Sequence, residues 1–228
     1  MKTPPSGFST EISAGRRYIP AMKSSILKNI LLAVMLVLVP PCFTILLRDP
    51  GQVSETAVAE AQAALGSYAL LHPEAEIRSL TVVDYSKPSF MKRMVVIDLR
   101  TGRRWPCRVA HGKSSGELFA QSFSNVPESN MSSLGLFRAR QVYSGEHGLA
   151  LRLDGLDSLR NGNAGQRDIV VHSADYVSIP WIIWNLATGN GPRIGRSNGC
   201  FVVSRDDIVP VVHQLGNGGY IYAWRGHP

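Results

Sequence analysis

Cysteine is scarce, with three in 228 residues, at positions 42, 107 and 200. That is too few for a disulfide-stapled scaffold. The six histidines fall at no HxH or HxxxH spacing, so no metal site is expected, and the chain has no Walker, Rossmann or HExxH motif. No cofactor is expected on these grounds. Charged residues make up only 18%, and no dense Lys/Arg stripe is interleaved with aromatics. Nucleic-acid binding is therefore not the expected business of the chain. There is no internal repeat.

What is present is lopsided. Formal net charge is +7, yet residues 1–50 alone hold 6 basic and 2 acidic side chains, against 18 and 15 in residues 51–228. From Ile26 to Leu47 the chain is almost wholly apolar, and Arg16, Arg17, Lys23 and Lys28 lie before or at its start. This is the layout of a secretory n-region and h-region. Pro40 and Pro41 interrupt it, but with Cys42–Leu47 it reaches the length of a tilted span. Two readings compete: a cleaved signal peptide, with Ala57-Val58-Ala59 rather far downstream as the nearest small-x-small site, and an uncleaved anchor with its N-terminus in the cytoplasm, which the basic flank favours. Met22 is an alternative start. The expected organisation is an n-region at 1–25, a membrane segment at 26–47, a spacer with a helix at 48–79 and an exported domain at 80–228. The expected location is the periplasm or cell envelope, at the inner membrane.

In the spacer, Ala57, Ala61, Ala64, Leu65 and Tyr68 recur at helical spacing, with Ser54 as N-cap and His72-Pro73 as the stop. Beyond it the pattern turns to strands: Leu80–Val83, Met94–Leu99, Trp105–Ala110, Leu134–Tyr143, Leu149–Leu153, Ile169–His172, Cys200–Val203 and Tyr220–Trp224 are rich in β-branched and aromatic residues. A short helix is expected through His213 to Leu215, with Pro210 in its first turn and Gly216 as cap. The fold class is mainly β, with a few short helices.

Chemistry concentrates at Cys200, in Gly195-Arg196-Ser197-Asn198-Gly199-Cys200-Phe201-Val202-Val203, and at His172, at the end of another strand. A thiol and an imidazole are what acyl transfer needs, since the ring takes the proton and the thiolate attacks a carbonyl. Each residue alone is more often structural, a buried small hydrophobe or a satisfied core histidine. Gly199 lets a carbonyl approach the backbone, and the amides of Asn198, Gly199 and Cys200 could line an oxyanion hole. His111 competes as base from its own strand end, and His147 sits in a turn-like run. A Cys107–Cys200 disulfide is the inert alternative in an oxidising compartment.

These residues resemble the L,D-transpeptidase catalytic domain family (YkuD type), in its murein branch. The resemblance rests on His172-Ser173 followed by Ser197-Asn198-Gly199-Cys200-Phe201. Blocks such as Asp98–Gly102, Ala110–Glu117, Ser122–Asn125, Ser133–Phe137 and Leu151–Gly155 extend it over roughly residues 80–222. It implies a β-rich sandwich or partly open barrel, with Cys200 as nucleophile and His172 as base. The ring would be oriented by the backbone carbonyl of Ser173, and the loop shaped by Ser197. The implied partners are peptidoglycan stem peptides, and the implied reaction is transfer through a thioester to a second stem. Arg196, Ser197 and His111 are the candidate substrate contacts. Asn198 departs from the family pattern, as do Phe201-Val202-Val203 where an Arg often follows, and the 28-position interval from His172 to Cys200 is long. Within it, Ile179–Trp184 reads as an amphipathic helix packed on the domain or as a hydrophobic lid. An L,D-carboxypeptidase using water as acceptor, a sortase-like enzyme and an inactive murein-binding domain are the rival readings. Papain-like enzymes place Cys before His, the reverse order.

Overall fold

Eight short apolar runs become eight strands: β1 (Ser79–Asp84), β2 (Met94–Asp98), β3 (Arg104–Cys107), β4 (Gly135–Gly145), β5 (Gly148–Gly155), β6 (Val170–Ser173), β7 (Phe201–Val203) and β8 (Gly219–Trp224). The computed structural model describes residues 53–226 except His147, together with Ser25, Ile26, Lys28, Asn29 and Ala33. The expected n-region at 1–25 and apolar segment at 26–47 thus fall, those five residues apart, outside the described residues, as does His147. The chain divides into two units, 1–44 and 45–228, and all eight strands lie in the second. Among the described residues no helix is long and apolar enough to cross a membrane.

The strands form one sheet in the order β3-β2-β1-β8-β4-β5-β6-β7, parallel at β1/β8 and β6/β7 and otherwise antiparallel. It curls until its ends nearly meet. β3 stops at Cys107, short of the expected Ala110, because the chain beyond it changes partners. The Ala110 N–H donates to the Val202 carbonyl (2.8 Å), the Ser197 N–H to His111 O (2.9 Å) and the Lys113 N–H to Ser197 O (2.7 Å). Residues 110–113 thereby join the β7 side and turn a twisted sheet into a nearly closed barrel.

Strand alternation sorts the side chains. Val83, Met94, Val96, Phe137, Leu151, Val171, Phe201 and Ile221 face one buried interior, into which Ile208, Val211, Val212 and Leu215 of a helix at Ile208–Leu215 also pack. At its centre the Phe137 and Phe201 rings meet edge to face, 5.2 Å apart. The other face is covered in two patches. α1 (Glu55–Leu71) lays Ala57, Val58, Ala61 and Leu65 over Leu80, Val82, Tyr220 and Tyr222, so the spacer helix is packed on the sheet. Its N-terminus is capped as expected, with Ser54 Oγ accepting from the Ala57 N–H at 3.1 Å. α2 (Ile179–Ala187) seats Ile182 against Ala110, Val177, Ile194 and Val202. The helix at Ile208–Leu215 is α3. Between the two patches the outer face of β4 and β5 keeps its charged residues.

Arg93 is wholly buried beneath the closure. Its Nε and Nη2 donate to Val109 O (3.1 and 2.9 Å), its Nη1 to Lys87 O (3.0 Å), and its Nη2 lies 2.7 Å from His111 Nδ1. Since a guanidinium only donates, Nδ1 must accept, and Nε2–H then donates to Gly116 O at 3.1 Å. Burial, with the Arg93 charge beside it, pushes the His111 pKa from 6.5 down to about 3. The unfolded chain would protonate this ring below about pH 6.5 while the folded chain keeps it neutral, so folding stability falls as pH drops from there towards 3. In acid-range urea unfolding, wild type should show a stability slope about 1.4 kcal/mol per pH unit steeper than His111→Asn. Equal slopes would mean the ring titrates normally.

Candidate active site

The parallel pair β6/β7 fixes the geometry. Val171 pairs with Phe201, His172 with Val202 and Ser173 with Val203. Paired residues of a ladder share a face, so His172 points to the outer side with Val202, away from the Val171/Phe201 interior. Cys200 stands two residues before Val202 and packs against the same outer cluster, alongside Ala174 and Tyr176. Thiol and ring therefore occupy one face of two neighbouring strands. Cys200 is partly exposed, and its Sγ lies 3.5 Å from the Asp168 carbonyl.

His172 is 7% exposed, and its Nδ1 donates to the Ser173 carbonyl at 3.2 Å, which puts the basic lone pair on Nε2. The Ser197 hydroxyl donates to Cys200 O (2.8 Å) and accepts from the Gly199 N–H (3.1 Å), closing a tight loop under the thiol. That corrects one expectation: the Gly199 amide is already engaged, which leaves Asn198 and Cys200 as the loop amides to weigh as oxyanion donors. Asn198 is exposed. Gly199 has φ +123°, and a Cβ there would sit 2.8 Å from Met131 O, so only glycine fits.

The other sequence candidates lie further out. His111 is fully buried and meets the loop only through its backbone, at Ser197. Arg196 pairs with Glu117 Oε1 and donates to Lys113 O and Gly116 O (3.2 and 3.3 Å). Cys107 is a free thiol among the interior residues, on the other face from the free Cys200. Of α2, Trp184 and Leu186 remain well exposed and only Ile182 and Asn185 are buried.

Sequence reasoning missed Arg167, Asp168 and Tyr176. Arg167 reaches the 124–133 loop, donating to Ser124 O (2.7 Å), Met131 O, Ser129 Oγ and Ser133 Oγ. It stands beside the nucleophile loop, with Nη2 3.1 Å from where a Gly199 Cβ would be. Tyr176, its phenol pushed up to about 12 by burial, packs over Gly195. A charged Arg-Asp pair ahead of a strand reads as an ordinary turn, and nothing in its spacing points to a cysteine 32 residues on.

Burial pushes the Cys200 thiol above its ordinary 9.0; a Val170 backbone hydrogen bond and the Arg167 charge pull it back in part. At neutral pH it is therefore a thiol, and a base must take its proton before it can attack. Replacing Arg167 by Met should raise the pH midpoint of Cys200 alkylation by about one pH unit, with Arg167→Lys in between. Iodoacetamide labelling followed by peptide mass at Cys200 measures it, and an unmoved midpoint would remove Arg167 from the thiol's electrostatics.

A model of the L,D-transpeptidase catalytic domain matches residues 51–224. No curated protein matches. Among solved structures, an L,D-transpeptidase from Mycobacterium smegmatis is 17% identical, with a TM-score of 0.37 over 66% of this chain and 59% of that one. The Bdellovibrio bacteriovorus protein Bd1075 is 16% identical, with a TM-score of 0.38 over 66% and 49%. The chain thus spans less than two thirds of either neighbour. With the family match running through the α1 spacer and every strand, the chain belongs to the L,D-transpeptidase catalytic domain family.

Proposed function

We propose that the protein is a cysteine acyltransferase of the cell envelope that rearranges peptidoglycan stem peptides by L,D-transpeptidation. The observation that carries this reading is the shared outer face of Cys200 and His172, with the ring's tautomer set by Ser173 O. In this mechanism His172 Nε2 takes the thiol proton as Cys200 Sγ bonds the carbonyl carbon of the third stem residue. The oxyanion is met by loop amides at Asn198 and Cys200. Collapse expels the terminal D-alanine amine, which leaves with the proton held by His172, and a thioester remains. A side-chain amine of a neighbouring stem then displaces the sulfur, giving a 3→3 cross-link.

The raised thiol is consistent with this order of events. A protonated sulfur is quiet until a base and a carbonyl are both present, which suits an oxidising compartment. The apolar stretch 26–47 would carry the domain across the inner membrane, cleaved or retained as an anchor, with the α1 spacer and residues 80–228 as the exported unit. Arg196 would contact stem carboxylates from the rim of the loop, on exchange with Glu117.

Exposure of the full chain to a carbapenem should add one intact drug mass at Cys200, and Cys200→Ala should gain none. His172→Gln should slow acylation by about a hundredfold or more. A reduced, alkylatable Cys200 that takes no drug would favour a murein-binding domain without activity.

A further inference from the structure

Beside the thiol, on the same outer face, a cleft of about 550 Å³ opens over β4, β5 and the segment leading into β6. Its charged walls are Arg138, Arg140, Arg152, Asp154 and Asp168. Two of the three arginines share one carboxylate oxygen: Arg138 Nη2 and Arg140 Nε lie 3.0 and 3.1 Å from Asp154 Oδ2. Arg152 is different. Among the described residues its one carboxylate partner, Asp168, is loosely held at 3.7 Å, and both side chains are more than half exposed, at 52% and 84%. The guanidinium is instead steadied from behind by the Tyr143 ring, 4.7 Å from its centroid. The cleft therefore presents an aimed cation and an aimed anion that barely engage one another.

The register connects this pair to the thiol. Arg152 pairs with Val170, Val171 with Phe201, and so Cys200 stands in the row of Arg152 and Val170. Two strand spacings put the Arg152 and Cys200 backbones about 10 Å apart. Asp168 lies between them and touches both sides, its carbonyl oxygen 3.5 Å from Sγ and its carboxylate on Arg152. It holds this double contact in the left-handed region, φ +48°, a conformation that costs energy for a non-glycine residue and that clusters at functional sites.

We infer that the Arg152–Asp168 pair is the acceptor subsite, a receptor for an α-amino-carboxylate end, with Arg152 taking the carboxylate and Asp168 holding the amine next to the sulfur. The inference rests on the acyl-transfer reading for its role, though not for its binding chemistry. Amine and carboxylate on one carbon lie too close together for a single-sign site. A loose ion pair opens to meet both without leaving either partner bare, and a guanidinium matches the carboxylate bidentately. In the resolving step the ammonium first gives one proton to solvent. The amine nitrogen then bonds the acyl carbon, the carbon–sulfur bond breaks, and the second nitrogen proton passes through His172 to the thiolate. Water has no carboxylate for Arg152, so the subsite biases the thioester towards transfer over hydrolysis.

The test is binding, which needs no turnover. The full chain is titrated with 2,6-diaminopimelic acid, with its diamide and with free D-alanine, followed by calorimetry. The diacid should bind at least tenfold more tightly than the diamide; Arg152→Gln should erase that preference, and Asp168→Asn, which removes the amine's partner, should weaken both ligands alike by about tenfold. Asn tolerates the left-handed conformation, so the second variant keeps the fold. D-alanine binding as tightly as the diacid supports the subsite and names any α-amino acid as its ligand; weaker binding supports it and names the diamino acid. Equal affinities for diacid and diamide, a preference that survives Arg152→Gln, or an affinity that Asp168→Asn leaves unchanged would overturn the inference. A protein that passes here but takes no carbapenem at Cys200 would fail as a transpeptidase while keeping the subsite.

Discussion

The hydrogen bonds between residues 110–113 and the β7 side are the joint on which the rest of the structure depends. Without them β3 and β7 are two bare edges of an eight-stranded sheet. With them the sheet nearly closes, the loop carrying Cys200 is held from both ends, and the interior is sealed by Phe137 and Phe201. Arg93 stands behind the joint. A wholly buried cation would be costly, but its donors are turned to Val109 O, Lys87 O and His111. The chain of contacts runs on from the His111 carbonyl to the Ser197 amide and from the Ser197 hydroxyl to Gly199 and Cys200. The thiol's position is thus set by groups deep in the protein.

A second constraint comes from the parallel pairing of β6 and β7. Because in-register residues share a face, one pairing decides that His172 and Cys200 both look outward while Val171 and Phe201 look in. A slip of one residue would put the ring inside and the valine outside. The apolar load on Val171, Phe201 and Val203 makes that slip expensive, so interior packing is what holds the polar pair in register.

The outer face divides labour by what covers it. Over β1 and β8, α1 brings alanines close and excludes water. Over β7, α2 contributes little more than Ile182 and leaves Trp184 and Leu186 to solvent. The strip between stays open and polar, which is why the charged residues of β4 and β5 and the thiol lie along one surface. Arg167 and Asp168, adjacent in sequence, face different tasks there. One ties the 124–133 loop beside the thiol, and the other lines the open cleft.

Much of this was legible in the chain. All eight strands and the capped spacer helix follow from β-branched runs, turn residues and an alanine period, since those patterns report local preference and one-sided burial. Ser197-Asn198-Gly199-Cys200 and His172 also stand out, because reactive residue types are rare and their flanks are distinctive. Three things were decided only by the fold. β3 ends at Cys107, because the choice between continuing along β2 and crossing to Val202 is a long-range competition that no local pattern records. His111, as good a strand-end histidine as His172, is withdrawn from the surface by Arg93, a partner 18 residues away whose burial no hydropathy pattern would suggest. The gathering of Arg152, Asp168 and Cys200 into one row is the product of two successive strand registers. The sequence determines which residues can do chemistry, whereas their mutual distance is set by the pairing of segments far apart in the chain.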